Sequence, residues 1–219
     1  MTDTSATDAT ARSAGILGGS FNPPHLGHIA LARQALEQLA LERVVLMPVA
    51  TPHGKPPEQD PGPQHRLAMC ELATAAEAGI SVCALEIDRG GPSYTADTLS
   101  EIHAHHPEVE LTFIVGADTA RTLPGWHRPR DVVGLAHLAI APRPGTSEAD
   151  VLEALALLGP GHEGSVPPQV SFLSMTSSAA SSSLARERLA AGARVEGLLA
   201  PAVAAYIAAH GLYRTPVAA

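Results

Sequence analysis

Apolar positions along this chain alternate between two periods. Short runs of β-favouring residues at 15–17, 43–48, 81–86, 110–116, 137–141 and 170–173 predict strands. Between them apolar residues recur at helical spacing in 27–40, 64–78, 95–105, a short 130–134, and 147–158. Two further helices, 182–191 and 201–210, close the chain. One helix between successive strands implies parallel pairing through right-handed crossovers. Val44-Val45-Leu46 and Phe113-Ile114-Val115 are apolar at every position, as strands covered on both faces should be. The pattern predicts an α/β fold: a doubly wound parallel sheet with C-terminal helices.

Proline clusters at 48–63 and 160–168 predict long loops. The first follows a strand end, where open α/β sheets bind ligands. The Gly-, Pro-, Glu- and Ala-rich segment 145–168 reads as a surface insertion. Residues 1–13 are small and polar, without the hydrophobic core of a signal peptide, and read as a disordered extension. One domain is expected over 14–214.

Composition narrows the choices. The chain has 219 residues, enough for one domain with a buried core. A formal net charge of −8 argues against a nucleic-acid or anionic-membrane footprint. No apolar run reaches the roughly 20 residues that span a bilayer. Cys70 and Cys83 lack CxxC spacing, so buried reduced thiols and a cytoplasmic location are expected. Lys55 is the single lysine beside 13 arginines, and the two head groups bind phosphate differently.

The chemistry concentrates in Gly18-Gly19-Ser20-Phe21-Asn22-Pro23-Pro24-His25-Leu26-Gly27-His28. A strand that ends in paired glycines and opens a helix suits phosphate, because backbone N–H groups can approach anionic oxygens there. Two imidazoles three residues apart would share one face of the first helical turn. There they could donate to a phosphoryl group in its transition state. The run is neither a Walker A loop, since no Gly-Lys-Ser/Thr follows, nor a GxGxxG fingerprint. The plain alternatives are surface histidines or half of a metal site. His103-Ala104-His105-His106 ends a predicted helix before Pro107, where histidine suits the dipole, and lacks a spaced partner for a metal. Asp88-Arg89 reads as a loop ion pair.

The His25-x-Gly27-His28 run resembles the signature of the nucleotidyltransferase superfamily, and its longer form that of bacterial nicotinate-nucleotide adenylyltransferases. Further segments resemble that family in series. They are Pro52-His53-Gly54-Lys55, Arg66 to Met69, Pro92-Ser93-Tyr94-Thr95-Ala96-Asp97-Thr98-Leu99, Gly116-Ala117-Asp118 with Gly125-Trp126-His127, Arg143-Pro144-Gly145, and Ser181-Ser182-Ser183 with Arg186. The likeness covers about residues 15–214. It departs at the serine motif, where Ala180, Ser183 and Ala185 replace the usual Ile, Thr and Ile, and at His127, where many relatives carry Tyr.

The resemblance implies a Rossmann-like fold and transfer of AMP from ATP to nicotinate mononucleotide, giving the dinucleotide and pyrophosphate. It implies His25, His28, Lys55 and Arg186 at the reacting phosphates, and Gly18, Gly19, Ser20, Phe21, Gly116, Asp118, Ser181 and Ser182 around ATP. It places Tyr94, Thr95, Trp126 and His127 at the pyridine ring and its carboxylate. Magnesium is expected with ATP, held by phosphate oxygens and water. No residue is assigned as a metal ligand, and self-association is left open. Rival readings are a nicotinamide-mononucleotide or phosphopantetheine adenylyltransferase, and a non-catalytic nucleotide sensor.

Overall fold

The computed structural model describes residues 12–51, 59–159, 168–175 and 179–214. Lys55 therefore lies outside the described residues. Six strands form one parallel sheet: β1 (Ser13–Gly19), β2 (Arg43–Pro48), β3 (Ile80–Val82), β4 (Glu110–Gly116), β5 (Ala136–Ala141) and β6 (Val170–Phe172). Their spatial order is β3-β2-β1-β4-β5-β6. The order reverses between β1 and β4, and such a reversal opens a crevice at the strands' carboxyl ends.

The connecting helices are α1 (Leu26–Gln38), α2 (Pro63–Thr74), α3 (Leu85–Arg89), α4 (Thr95–His105), α5 (Ala117–Ala120), α6 (Pro129–Leu135) and α7 (Glu148–Ala156). Then come α8 (Ser182–Ala190) and α9 (Pro201–His210), with a 3₁₀ turn at Leu123–Gly125. Among the described residues no helix is long and apolar enough to cross a membrane.

Strand alternation divides the core into two layers. Leu17, Leu46 and Ile114 point to one face, where Ile29 of α1, Met69 of α2 and Ile207 of α9 cover them. Ile16, Val45 and Phe113 point to the other, against Leu99 of α4, Val132 of α6 and Leu155 of α7. This two-sided burial is why the central strands read as unbroken apolar runs.

The structure corrects three expectations. The third strand stops at Val82, and Leu85–Arg89 turns into a short helix that buries Glu86 and Ile87. A carboxylate inside an apolar run hid that change of element. The segment after Ser147 is not simply a surface insertion: Val151 and Leu155 are buried in the second layer, and Ser147 caps α7 by accepting from the Asp150 N–H at 3.2 Å. Arg89 does not pair with Asp88; it bonds Glu101 at 2.9 Å and the Thr98 hydroxyl at 2.9 Å. Cys70 and Cys83 are both free and buried, and burial raises both thiol pKa values.

Candidate active site

β1 delivers the glycine turn to the switch point. Phe21 follows with φ +48° and is almost wholly buried, its ring edge-on to His28 at a centroid distance of 4.9 Å. Arg186 Nη1 donates to Asn22 O at 2.6 Å, the Ser182 hydroxyl to Pro23 O at 2.8 Å, and the Tyr213 hydroxyl to Asn22 Oδ1 at 2.6 Å. α8 and the C-terminal segment thus hold the turn from outside.

The two histidines lie on the same side of the first turn of α1, as the spacing predicts, although His25 stands just outside the helix proper. His25 is the extended N-cap residue of α1, and His28 sits one turn in. Their rings stack, with centroids 3.7 Å apart and planes at 29°. Gly27 allows this, because a Cβ there would lie 2.9 Å from His25 Nδ1. The His25 N–H donates to His28 Nδ1 at 3.1 Å. A neutral ring that accepts at Nδ1 carries its proton on Nε2. The backbone therefore sets the tautomer that makes His28 a donor.

Burial also holds both rings neutral. The His25 pKa is lowered from 6.5 to about 4, by burial first and by the Arg143 guanidinium second. That of His28 lies well below 6.5, from burial, then His25, then Arg143. The site thus offers imidazole N–H donors near neutral pH, while Arg143 supplies fixed positive charge.

These shifts fix the sign of a stability effect. As pH falls from about 6.5 to about 4, the unfolded chain takes up the His25 proton before the folded one does. Folding stability should drop through that window and gain no further slope from His25 below it. Urea unfolding at pH 7.5, 5.5 and 4.5 measures the slope, which His25→Asn should flatten. An unchanged slope in that variant would refute the burial effect.

A cleft of about 690 Å³ runs from the glycine turn across the ends of β1 and β4. Gly18, Gly19, Ser20, His28 and Gly116 line one part, and Tyr94, Thr95, Trp126 and His127 another. Trp126 Nε1 donates to the Thr122 hydroxyl at 3.0 Å, and Tyr94 meets the His127 ring at 4.5 Å. Thr95 opens α4, whose first-turn amides face away from the helix body.

Other predicted residues lie near the cleft but do not line it. His25 backs His28, and Phe21 packs under it. Asp118 is exposed, its Oδ1 3.7 Å from Nε of the cleft-lining Arg143. Ser181 caps α8, accepting from the Leu184 N–H at 3.2 Å. Arg186 and Ser182 contact the Asn22 and Pro23 carbonyls, and neither they nor Ser181 are among the residues that line the cleft.

Three residues carry roles that the sequence reading did not assign. Arg143 lines the cleft and faces both imidazoles electrostatically; its place after the fifth strand was the available signal. Gly116 leaves room for it, since a Cβ there would lie 2.7 Å from Asp118 Oδ1 and 3.0 Å from Arg143 Nε. Arg66 is fully buried and donates to four acceptors: Asp60 Oδ1 at 3.1 Å, Ser20 O at 3.0 Å, Val49 O at 2.7 Å and Ala50 O at 2.8 Å. It ties the loops after β1 and β2 together. Glu86 lines the cleft and is buried, with no local pattern to announce it.

The cytidylyltransferase-like family profile matches residues 16–188. A protein of Dehalococcoides mccartyi named a probable nicotinate-nucleotide adenylyltransferase is 41% identical over 200 residues, covering 91% of this chain and 96% of that protein. A protein of the same name from Bordetella pertussis is also 41% identical over 200 residues, covering 91% of this chain and 97% of its own. The nicotinic acid mononucleotide adenylyltransferase of Plasmodium falciparum, solved with NaAD, superposes with a TM-score of 0.74. That likeness covers 92% of this chain and 97% of the other at 18% identity, and speaks to the fold alone. The stacked His25–His28 pair on a glycine turn, at the switch point of a 3-2-1-4-5-6 sheet, agrees with the sequence likeness, and the chain belongs to the cytidylyltransferase-like family and, within it, to the nicotinate-nucleotide adenylyltransferases.

Proposed function

We propose that this protein transfers the adenylyl group of ATP to nicotinate mononucleotide, releasing pyrophosphate and forming the dinucleotide for NAD synthesis. The observation that carries the reading is the half-buried His28 ring, its Nε2 proton fixed by the His25 backbone, at the cleft end lined by Gly18–Ser20. The mononucleotide phosphate oxygen attacks the α-phosphorus of ATP, and the bond to the bridging oxygen breaks in line. Both electrons of that bond leave with pyrophosphate. No protein nucleophile is needed, so positioning and charge stabilisation supply the catalysis.

In this reading the His28 Nε2–H donates to the phosphoryl oxygens, with His25 stacked behind it. Arg143 balances their charge. The amides of Gly18, Gly19 and Ser20 add backbone donors. Arg186 and Ser182 hold the Asn22–Pro23 segment that precedes the histidines, and Lys55, which follows β2 in the sequence, adds a point charge.

ATP enters as its magnesium complex, in which the ion lowers the charge that the attacking phosphate meets. Among the described residues no group of three or more His, Cys, Asp or Glu could cage a metal. Magnesium would be held by the phosphate oxygens and water, with Asp118 as the carboxylate beside Arg143. The pyridine ring takes the end walled by Trp126 and Tyr94, and its carboxylate meets the first amides of α4 at Thr95. A cytoplasmic site of action goes with this reading.

A pyrophosphate-release assay with ATP, magnesium and each acceptor in turn tests the reaction. Nicotinate mononucleotide should support turnover best. Faster release with nicotinamide mononucleotide or phosphopantetheine would overturn the acceptor, and tight dinucleotide binding without release would mark a sensor. Trp126→Ala should raise the KM for the mononucleotide far more than that for ATP. Equal rises would remove Trp126 from the ring pocket.

A further inference from the structure

The cleft contains one group that adenylyl transfer leaves unused. Glu86 of α3 is 6% exposed and lines the cleft near Tyr94 and Thr95. Its Oε1 accepts from the Thr98 hydroxyl at 2.7 Å. Thr98 in turn accepts from Arg89 Nη2 at 2.9 Å, and Arg89 Nη1 is tied to Glu101 at 2.9 Å. The chain of bonds fixes the carboxylate and ends at Glu86 Oε2. That oxygen is buried, with no hydrogen-bond partner among the described residues.

A buried carboxylate with one oxygen lacking a donor is a poorly compensated negative charge, so its place beside a cavity points to a cation in the cleft that offsets it through space. Anionic groups are poor candidates, because two desolvated carboxylates repel. We propose that Glu86 is the counter-ion of a cationic aromatic ring: it selects an N-ribosylated pyridinium over a neutral ring of the same shape. The inference rests on the proposed reading, in which the mononucleotide occupies this end of the cleft. That substrate is negative at its phosphate and its carboxylate, and its one positive charge is at the ring nitrogen. The carboxylate has the α4 amides and the cation has Glu86. The face of Trp126 favours the same cation. The two devices together would read both charges of a zwitterionic ring.

The test compares two ligands by calorimetry: nicotinate mononucleotide, and the C-nucleotide with a 3-carboxyphenyl ring on the same ribose 5′-phosphate. The second keeps the carboxylate, the hydroxyls and the phosphate but has no ring charge. Wild-type protein should bind the pyridinium compound about 10- to 100-fold more tightly, within the range by which an opposite charge about 4–6 Å away favours the charged form of a carboxyl group. Glu86→Gln preserves size and can still accept from Thr98, and it should erase most of that preference while leaving the affinity of the phenyl compound and the KM for ATP in place. Equal loss for both ligands would overturn the proposal, because it would make Glu86 an acceptor for a ribose hydroxyl or a purely structural group. Equal binding of both ligands by the wild type would overturn it without any variant. Absence of pyrophosphate release with nicotinate mononucleotide is a separate result, and it would strike the proposed function itself.

Discussion

His28→Ala should lower kcat/KM for adenylyl transfer by about 10²–10³ while the fold persists, since removal of one preorganised donor to a developing oxyanion costs on that scale. The geometry states why this donor is preorganised. Nδ1 is occupied by the His25 N–H at 3.1 Å, so rotation of the ring is opposed and the proton stays on Nε2. Burial keeps the ring from becoming an imidazolium, so its contribution is directional and not a mobile charge. His28→Asn should retain part of the rate, because its amide can still donate. Steady-state kinetics with both substrates, beside a circular-dichroism check of folding, decide the matter. Wild-type turnover in folded His28→Ala would remove this ring from the reaction.

Arg66→Leu should destabilise the chain by about 3–5 kcal/mol, the usual scale for removing one partner of a buried charge pair. The substitution strands Asp60 and three carbonyls in a region where the guanidinium is fully buried. At roughly 2–4 °C per kcal/mol for a chain of this size, Tm should fall by roughly 6–20 °C. Arg66→Lys should not restore it, because an ammonium cannot reach acceptors spread around a planar fork. The control is Arg33→Ala, which breaks a bidentate pair to Glu77 at 2.6 Å on the surface, where Arg33 is 62% exposed. That change should cost no more than about 1 kcal/mol. Calorimetric unfolding of the three variants gives the ranking. Similar Tm values for Arg66→Leu and Arg33→Ala would show that the buried clamp adds nothing to stability.

The predicted strand at 110–116 and the helices at 95–105 and 201–210 coincide with the structure, as do β2 and the start of α8. Each shows a clean period in its apolar positions or a clear boundary at Ser, Pro or Gly. The errors fall where one residue contradicts its neighbours. Glu86 lies in an apolar stretch, and a buried acid bonded to a threonine twelve positions away leaves no local trace. Segment 145–168 reads as a surface insertion because of its loop-like composition, yet the helix predicted within it at 147–158 forms and buries Val151 and Leu155 against the sheet.

The chain's own order of residues determined the layers and the place of the phosphate turn, because periodicity reports which faces are covered and a glycine-histidine run acts on its immediate backbone. It could not determine which partners meet across the fold. Arg66 and Ser20 are separated by 46 positions, and Arg186 and Asn22 by 164. Only the folded sheet put β4 beside β1, brought Arg143 to the imidazoles and turned Glu86 to the cleft. Pairing, desolvation and tautomer all depend on neighbours distant in sequence, and those neighbours are chosen when the strands take their order.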